Sequence, residues 1–157
     1  MYTCPANSLI DYASKTFMGM YGKSETNSKS YSSLPPHWSL SLRFDMLMFS
    51  SLDSNDYIEV LIDSVAYGKY SKSAADGVQI CNTYTGYNDI LNLYNKNISH
   101  TASTVTIAML ASTDEDYTNE GAAMRNLFLY VDTCDISCST CSGPTSVRVL
   151  LEQVHYG

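Results

Sequence analysis

Residues 37–49, HWSLSLRFDMLMF, alternate apolar and polar side chains with period two. Trp38, Leu40, Leu42, Phe44, Met46 and Met48 fall on one face, and Ser39, Ser41, Arg43 and Asp45 on the other. On a helix the same apolar residues would scatter around the whole cylinder, so this run is a half-buried strand. Leu34-Pro35-Pro36 stands directly before it. Proline cannot donate to a ladder, so the new element begins just after the pair.

The rest of the chain reads the same way. Residues 50–56, SSLDSND, are a polar turn, and YIEVLID (57–63) is expected as the hairpin partner of the first strand. Residues 64–76 read as a loop, GVQIC (77–81) as a short strand, and ILNLYNKNI as a further strand candidate. Residues 104–110, TVTIAML, alternate cleanly; STDEDYTNEG (112–121) is an acidic loop; MRNLFLYVD (124–132) and SVRVLLEQVHY (146–156) are strand-like. No helix of useful length emerges. The expectation is an all-β fold, an antiparallel β-sandwich of jelly-roll or Greek-key type. It divides into an irregular N-terminal segment (1–33), the sandwich (34–133), a cysteine-rich segment (134–145) and a C-terminal strand (146–157).

Composition narrows the function classes. The net charge of −7 repels a phosphate backbone, which argues against nucleic acid as a partner. No apolar run approaches the roughly 20 residues needed to span a bilayer, so no membrane insertion is expected. The opening residues, MYTCPANSLIDYASKTF, lack a basic segment followed by an apolar one and are not an intact signal peptide. The expectation is a chain without its leader, or a piece of something longer.

Five cysteines stand at Cys4, Cys81, Cys134, Cys138 and Cys141. The last three form C-x3-C-x2-C, but a zinc site wants a second ligand pair, and His100 and His155 are isolated. Disulfides in an oxidising compartment suit the Ser-, Thr- and Tyr-rich composition better. Asn97-Ile98-Ser99 is an N-glycosylation sequon.

Acidic residues gather in two loops. Asp53 and Asp56, with Glu59 just beyond, belong to the first; Asp114, Glu115, Asp116 and Glu120 belong to the second. A sandwich can bring two such loops to one rim, where the carboxylates of Asp53, Asp56, Asp114, Asp116 and Glu120 and the carbonyls of Asn55 and Asn119 would suit calcium. A glycosidase carboxylate pair would need a rigid groove that nothing in the sequence suggests. No G-x-S-x-G elbow is present, and His37, His100 and His155 have no evident nucleophile beside them. His37 and His100 read as structural residues at strand starts. Tyr84, Tyr87 and Tyr94 cluster and could stack on sugars, so glycans are an alternative partner. No enzymatic activity is expected.

One resemblance adds to this. LPPHWSLSLRFDMLMF, DSNDYIEVLID, QIC, SHTASTVTIAML and NEGAAMRNLFLYVDTCDISCSTCSGPTS together look like one kind of module. Residues 34–146 resemble the β-sandwich modules of large ciliate surface proteins that carry furin-like, growth-factor-receptor-like cysteine-rich repeats. CDISCSTCSGPTS is the most specific part. In that family the first acidic turn reads D-S-W-D-x-E and the late loop D-E-S-W-G-I-x-N, which implies a calcium site. Asp53, Asp56, Glu120, Arg125 and Asn126 match; Ser50, Leu52, Asn119 and Ala122 depart from the pattern. The resemblance also implies a place outside the cell.

These readings converge on an extracellular structural or adhesive module, a repeating subunit of a surface filament or coat. The alternative is a carbohydrate-binding module of a larger receptor. The final strand, with Val147, Val149 and Leu151 alternating against Arg148, Leu150 and Glu152, has no partner in the family's module. It could lie on its own sheet, or be exchanged into a neighbouring copy to make a homopolymer.

Overall fold

A computed structural model describes residues 2–4, 15–53, 55–81, 86–135 and 147–154. Ten strands run in chain order: β1 (Tyr2–Thr3), β2 (Thr16–Tyr21), β3 (Thr26–Tyr31), β4 (His37–Ser50), β5 (Tyr57–Ile62), β6 (Val65–Tyr70), β7 (Ile90–Ser99), β8 (Val105–Ser112), β9 (Glu120–Thr133) and β10 (Val147–Val154). One sheet has the order β1-β2-β9-β4-β7, with β10 also on β9; the other has the order β3-β8-β5-β6. Strands β2 to β9 therefore form two four-stranded sheets in the 2-9-4-7 and 3-8-5-6 orders of a jelly roll. The expected antiparallel sandwich is the observed fold.

The core lies between the sheets. Leu40, Leu42, Phe44, Met46 and Met48 of β4 meet Ile58, Val60 and Ile62 of β5 and Val105, Ile107 and Met109 of β8. Each such side chain, fully buried, contributes roughly 1.5–3 kcal/mol. Leu47 and Phe49 point to the opposite face. There they join Cys4, Phe17, Ile80, Cys81 and Ala123 in a second apolar cluster. The Cys4–Cys81 disulfide pins this outer layer onto the sheet.

Three sequence expectations are corrected. The described residues of segment 1–33 are not irregular, since they supply β1, β2 and β3. Residues 57–63 do not form a hairpin with β4: β5 lies in the other sheet and pairs with β6 and β8. The real hairpin is β5–β6, turning through Asp63 and Ser64 at φ 49° and 67°. Two consecutive positive φ values are the signature of a tight primed turn, here made without glycine. Residues 64–76 accordingly contain a strand, whereas 77–81 make only an isolated bridge from Val78 to Asp89. The sequence allows the tail two places, and here it lies on its own sheet. β10 pairs with β9 of its own chain, from Val147↔Thr133 to Val154↔Leu127, and Arg148 Nε donates to buried Asp132 at 2.8 Å.

A chain of polar contacts joins the sheets at the end where β4 begins. His37, buried, places Nδ1 2.7 Å from Pro35 O, and its Nε2 lies 2.7 Å from His100 Nδ1. His100 Nε2 meets Asp63 Oδ2 at 3.1 Å, and Thr106 N donates to Asp63 Oδ1 at 2.8 Å. Pro35 O and the Asp63 carboxylate only accept, so satisfying all three ring contacts takes three protons on four nitrogens. His37 stands at the start of β4 as expected, His100 instead follows the end of β7, and the two act as a pair. His100→Ala strands a buried ring nitrogen of His37 and frees Asp63. It should destabilise the fold by about 1–3 kcal/mol in chemical denaturation. An unchanged midpoint and slope would mean that the chain contributes nothing.

Candidate functional site

The opposite end of the sandwich collects charge. Here β4 crosses to β5 and β8 crosses to β9, so both acidic loops close over the same rim. One carboxylate oxygen each of Asp56, Asp114 and Glu120 lies within 4.8 Å of the others. Asp56 and Glu120 are buried and Asp114 is exposed. Glu120 opens the β4–β9 ladder opposite Ser50. Its Oε1 accepts from Glu115 N at 2.7 Å, and Asp56 Oδ2 accepts from Asp53 N at 3.0 Å. Gly121 follows with no room for a side chain: a Cβ there would stand 2.3 Å from Tyr21 O.

The corner behind this rim is fixed by buried polar groups. Ser50 adopts φ 65°. Its N–H donates to Asp89 Oδ1 at 3.2 Å, and its carbonyl accepts from Lys72 Nζ at 2.7 Å. Asp89, fully buried, also accepts from Ile80 N at 3.0 Å and Cys81 N at 2.7 Å. Burial lowers the Lys72 ammonium, against the pull of Asp89 and Asp76. The rim therefore rests on a hydrogen-bonded scaffold that reaches the Cys4–Cys81 bond.

Electrostatics at the trio are unfavourable as they stand. Burial, and then Asp56 and Asp114 beside it, push the Glu120 carboxyl up to about 7, although the Glu115 N–H works the other way. Like charges gathered in a partly dry site resist ionisation. A hard divalent cation would reverse that. The donor set is entirely oxygen, which suits calcium rather than zinc, and further oxygens would come from backbone and water.

Of the five carboxylates expected to share one site, three do. Asp53 instead shapes its own turn: its Oδ1 accepts from Asn55 N at 2.9 Å and its backbone carbonyl from Asp56 N at 3.2 Å. Asp116 is exposed and bonded to the hydroxyl and N–H of Thr118, which hold its carboxyl below the usual range. Arg125 and Asn126 gather on Asp45 of β4, at 3.8 Å and 2.7 Å. Lys72 and Asp89 were not foreseen, because nothing in their local sequence marks burial.

Elsewhere, Cys134 is disulfide-bonded as well, while Cys138 and Cys141 lie outside the described residues. Asn97 is exposed, but on strand β7 rather than in a loop. The three tyrosines do not make a platform. Tyr94 is buried, stacked on Phe44 at 4.7 Å; Tyr87 is exposed; and Tyr84 lies outside the described residues. Among the described residues no helix is long and apolar enough to cross a membrane.

No protein-family model matches the chain, and no curated protein is similar to it. Among solved structures, the crystal structure of dimeric latent PorU from Porphyromonas gingivalis matches 66% of this chain at 10% identity with a TM-score of 0.43. The match spans 10% of that protein's length.

The Glu120 shift fixes a pH dependence. A carboxyl raised from 4.5 to about 7 on folding binds more protons folded than unfolded across that window. In chelator, stability should therefore fall as pH rises from about 4.5 to 7. Millimolar calcium should restore it above pH 7 by binding only the folded state. Glu120→Gln should remove both effects and, at pH 7.5 in chelator, gain about 1–3 kcal/mol. Melting curves that coincide in calcium and chelator at pH 7.5 would show that the trio does not hold the ion.

Proposed function

We propose that the chain is a non-catalytic extracellular module of structural or adhesive type, a repeating subunit of a surface filament or coat. The observation that carries this reading is the character of its edges. β10 ends one flank, and it exposes Val149 and Leu150. β6 ends the other flank and exposes Val65, at 56%, and Tyr67. Proteins that stay monomeric blunt such edges with charge, proline or bulges; here Arg148, Glu152 and a register irregularity blunt β10 only in part, since Val149 and Leu150 stay exposed. Two apolar edges on opposite flanks suit a head-to-tail contact, which is heterologous and grows rather than closes. Since the tail has a partner in its own chain, this contact is edge to edge rather than strand exchange.

The Cys4–Cys81 disulfide fits an oxidising compartment, and the likeness of residues 34–146 to ciliate surface modules supports a place outside the cell. Calcium at Asp56, Asp114 and Glu120 would tie both crossover loops and stiffen the subunit. A glycan on Asn97 would stand on β7, the edge beside β6, and keep that edge from competing for partners.

Two measurements test the reading. Electron microscopy of the native material should show polymers, and the double change Val149→Lys with Leu150→Lys should abolish them while the monomer still melts cooperatively. Polymers that survive the double change would place the contact elsewhere. Separately, peptide mass spectrometry of native material should find Asn97 carrying a glycan; unmodified Asn97 would leave the β7 edge bare.

A further inference from the structure

Between the two sheets, on the flank where β3 faces β2 and β10, lies a cavity of about 210 Å3. Its walls include Met18, Phe44, Val60, Met109, Met124 and Leu127. All six are apolar, and all but Met18 are buried. Among the described residues, the buried polar atoms left without a partner belong to Trp38, Ser50, Tyr94 and Arg125. None of these residues lines the cavity. Water among these apolar walls would find polar partners only at the mouth, so the inner space is suited to hydrocarbon.

The mouth is different. Lys29 of β3 pairs with Glu152 of β10 at 2.5 Å, and the Tyr31 hydroxyl donates to the same carboxylate. Asn27 and Ser28 complete the polar rim. The ion pair makes the mouth electrically neutral. A carboxylate head group would meet Glu152, and an ammonium would meet Lys29. A hydroxyl meets neither penalty, because it accepts from the ammonium and donates to the carboxylate.

We propose that this cavity binds a straight-chain aliphatic molecule with an uncharged hydrogen-bonding head, of which a medium-chain alcohol is the simplest example. The size of the space, many times the roughly 10–15 Å3 that a single water needs on the same measure, sets the scale of the occupant as a chain of several carbons. Three methionines in the wall favour a flexible chain over a rigid ring, since the thioether adapts to irregular shapes. The proposal is independent of the cation site, which lies at the end of the sandwich rather than on this flank.

The test uses the full chain with methyl-labelled methionine, titrated with 1-octanol, octanoate, octylammonium and xenon. Octanol should give saturable shifts at Met18, Met109 and Met124, and not at Met46 or Met48, with a dissociation constant below about 1 mM. Octanoate and octylammonium should bind at least about tenfold more weakly. Glu152→Gln, which leaves Lys29 uncompensated, should bring octanoate to within about threefold of octanol. Val60→Phe and Leu127→Phe each place a ring in the cavity, and at least one that folds should lose octanol binding. Absence of saturable shifts with octanol would overturn the proposal, as would binding that persists in a folded cavity-filling variant. Xenon binding without octanol binding would mark a packing void and overturn it too. Equal binding of the three head groups would overturn the assignment of the mouth.

Discussion

The structure depends on the double burial of β4. This strand pairs with β7 along one side and β9 along the other, so its backbone groups are satisfied across most of its length. Its even-numbered side chains fill the space between the sheets, and Leu47 and Phe49 fill the layer outside. A central strand buried on one face needs only a second sheet. Where Leu47 and Phe49 face outward a cover is needed as well, which two pieces of the chain supply, Cys4 with Phe17 and Ile80 with Cys81. The Cys4–Cys81 bond joins those two pieces. It closes the cover by linking segments 77 residues apart, which limits the freedom of the unfolded chain more than a short loop would.

That arrangement explains where the charge sits. With the inner face of β4 taken, and its outer face taken at Leu47 and Phe49, two groups of buried polar side chains gather at its ends. At the first end the pair His37 and His100 carries hydrogen bonds from Pro35 across to Asp63. At the second, Asp89 and Lys72 satisfy both backbone groups of Ser50, whose positive φ turns the chain out of the sheet. A non-glycine residue in that conformation costs about 1–3 kcal/mol and persists only when its neighbours over-determine it. Two buried side chains bonded to one residue's N–H and C=O do so. The acidic trio stands just outside this corner, held in place by the turn it helps to close.

How much of this was legible in the sequence follows from which forces are local. The strand β4 was plain, because hydrophobic period two is written directly in the residues. The class of fold followed from several such runs separated by turn residues. The sheet to which each strand belongs was not legible. In a jelly roll consecutive strands usually change sheets, and the 50–56 turn reads the same whether it closes a hairpin or crosses a sandwich. The true hairpin turns on Asp63 and Ser64, which lack the Asn-Gly or Asp-Gly signal of a primed turn. Strand β3, TNSKSY, has little apolar content and was invisible to a hydrophobic pattern, because it is an edge strand with most of its side chains in water. The site was half legible. Clustering in sequence found both acidic loops, but choosing Asp56 and Glu120 over Asp53 and Asp116 depends on which carboxylates turn inward, and only the packing decides that.

Glu152 connects the side of the molecule that would assemble with the side that opens to the cavity. It fixes β10 to β3 through Lys29 and Tyr31, across the gap between the sheets. Residues two and three positions earlier on the same strand, Leu150 and Val149, are exposed on its flank. The irregularity in the β9–β10 register falls between Leu150 and Glu152, so the two halves of β10 are offset at the point where its role changes. Val149 and Leu150 present apolar side chains outward; beyond them, Glu152 and Val154 line the cavity. A neighbour pairing with the first half and a chain molecule entering beside the second would each act on the position of one strand. Any preference either shows for that position must appear in the affinity of the other, by the reciprocity of linked equilibria.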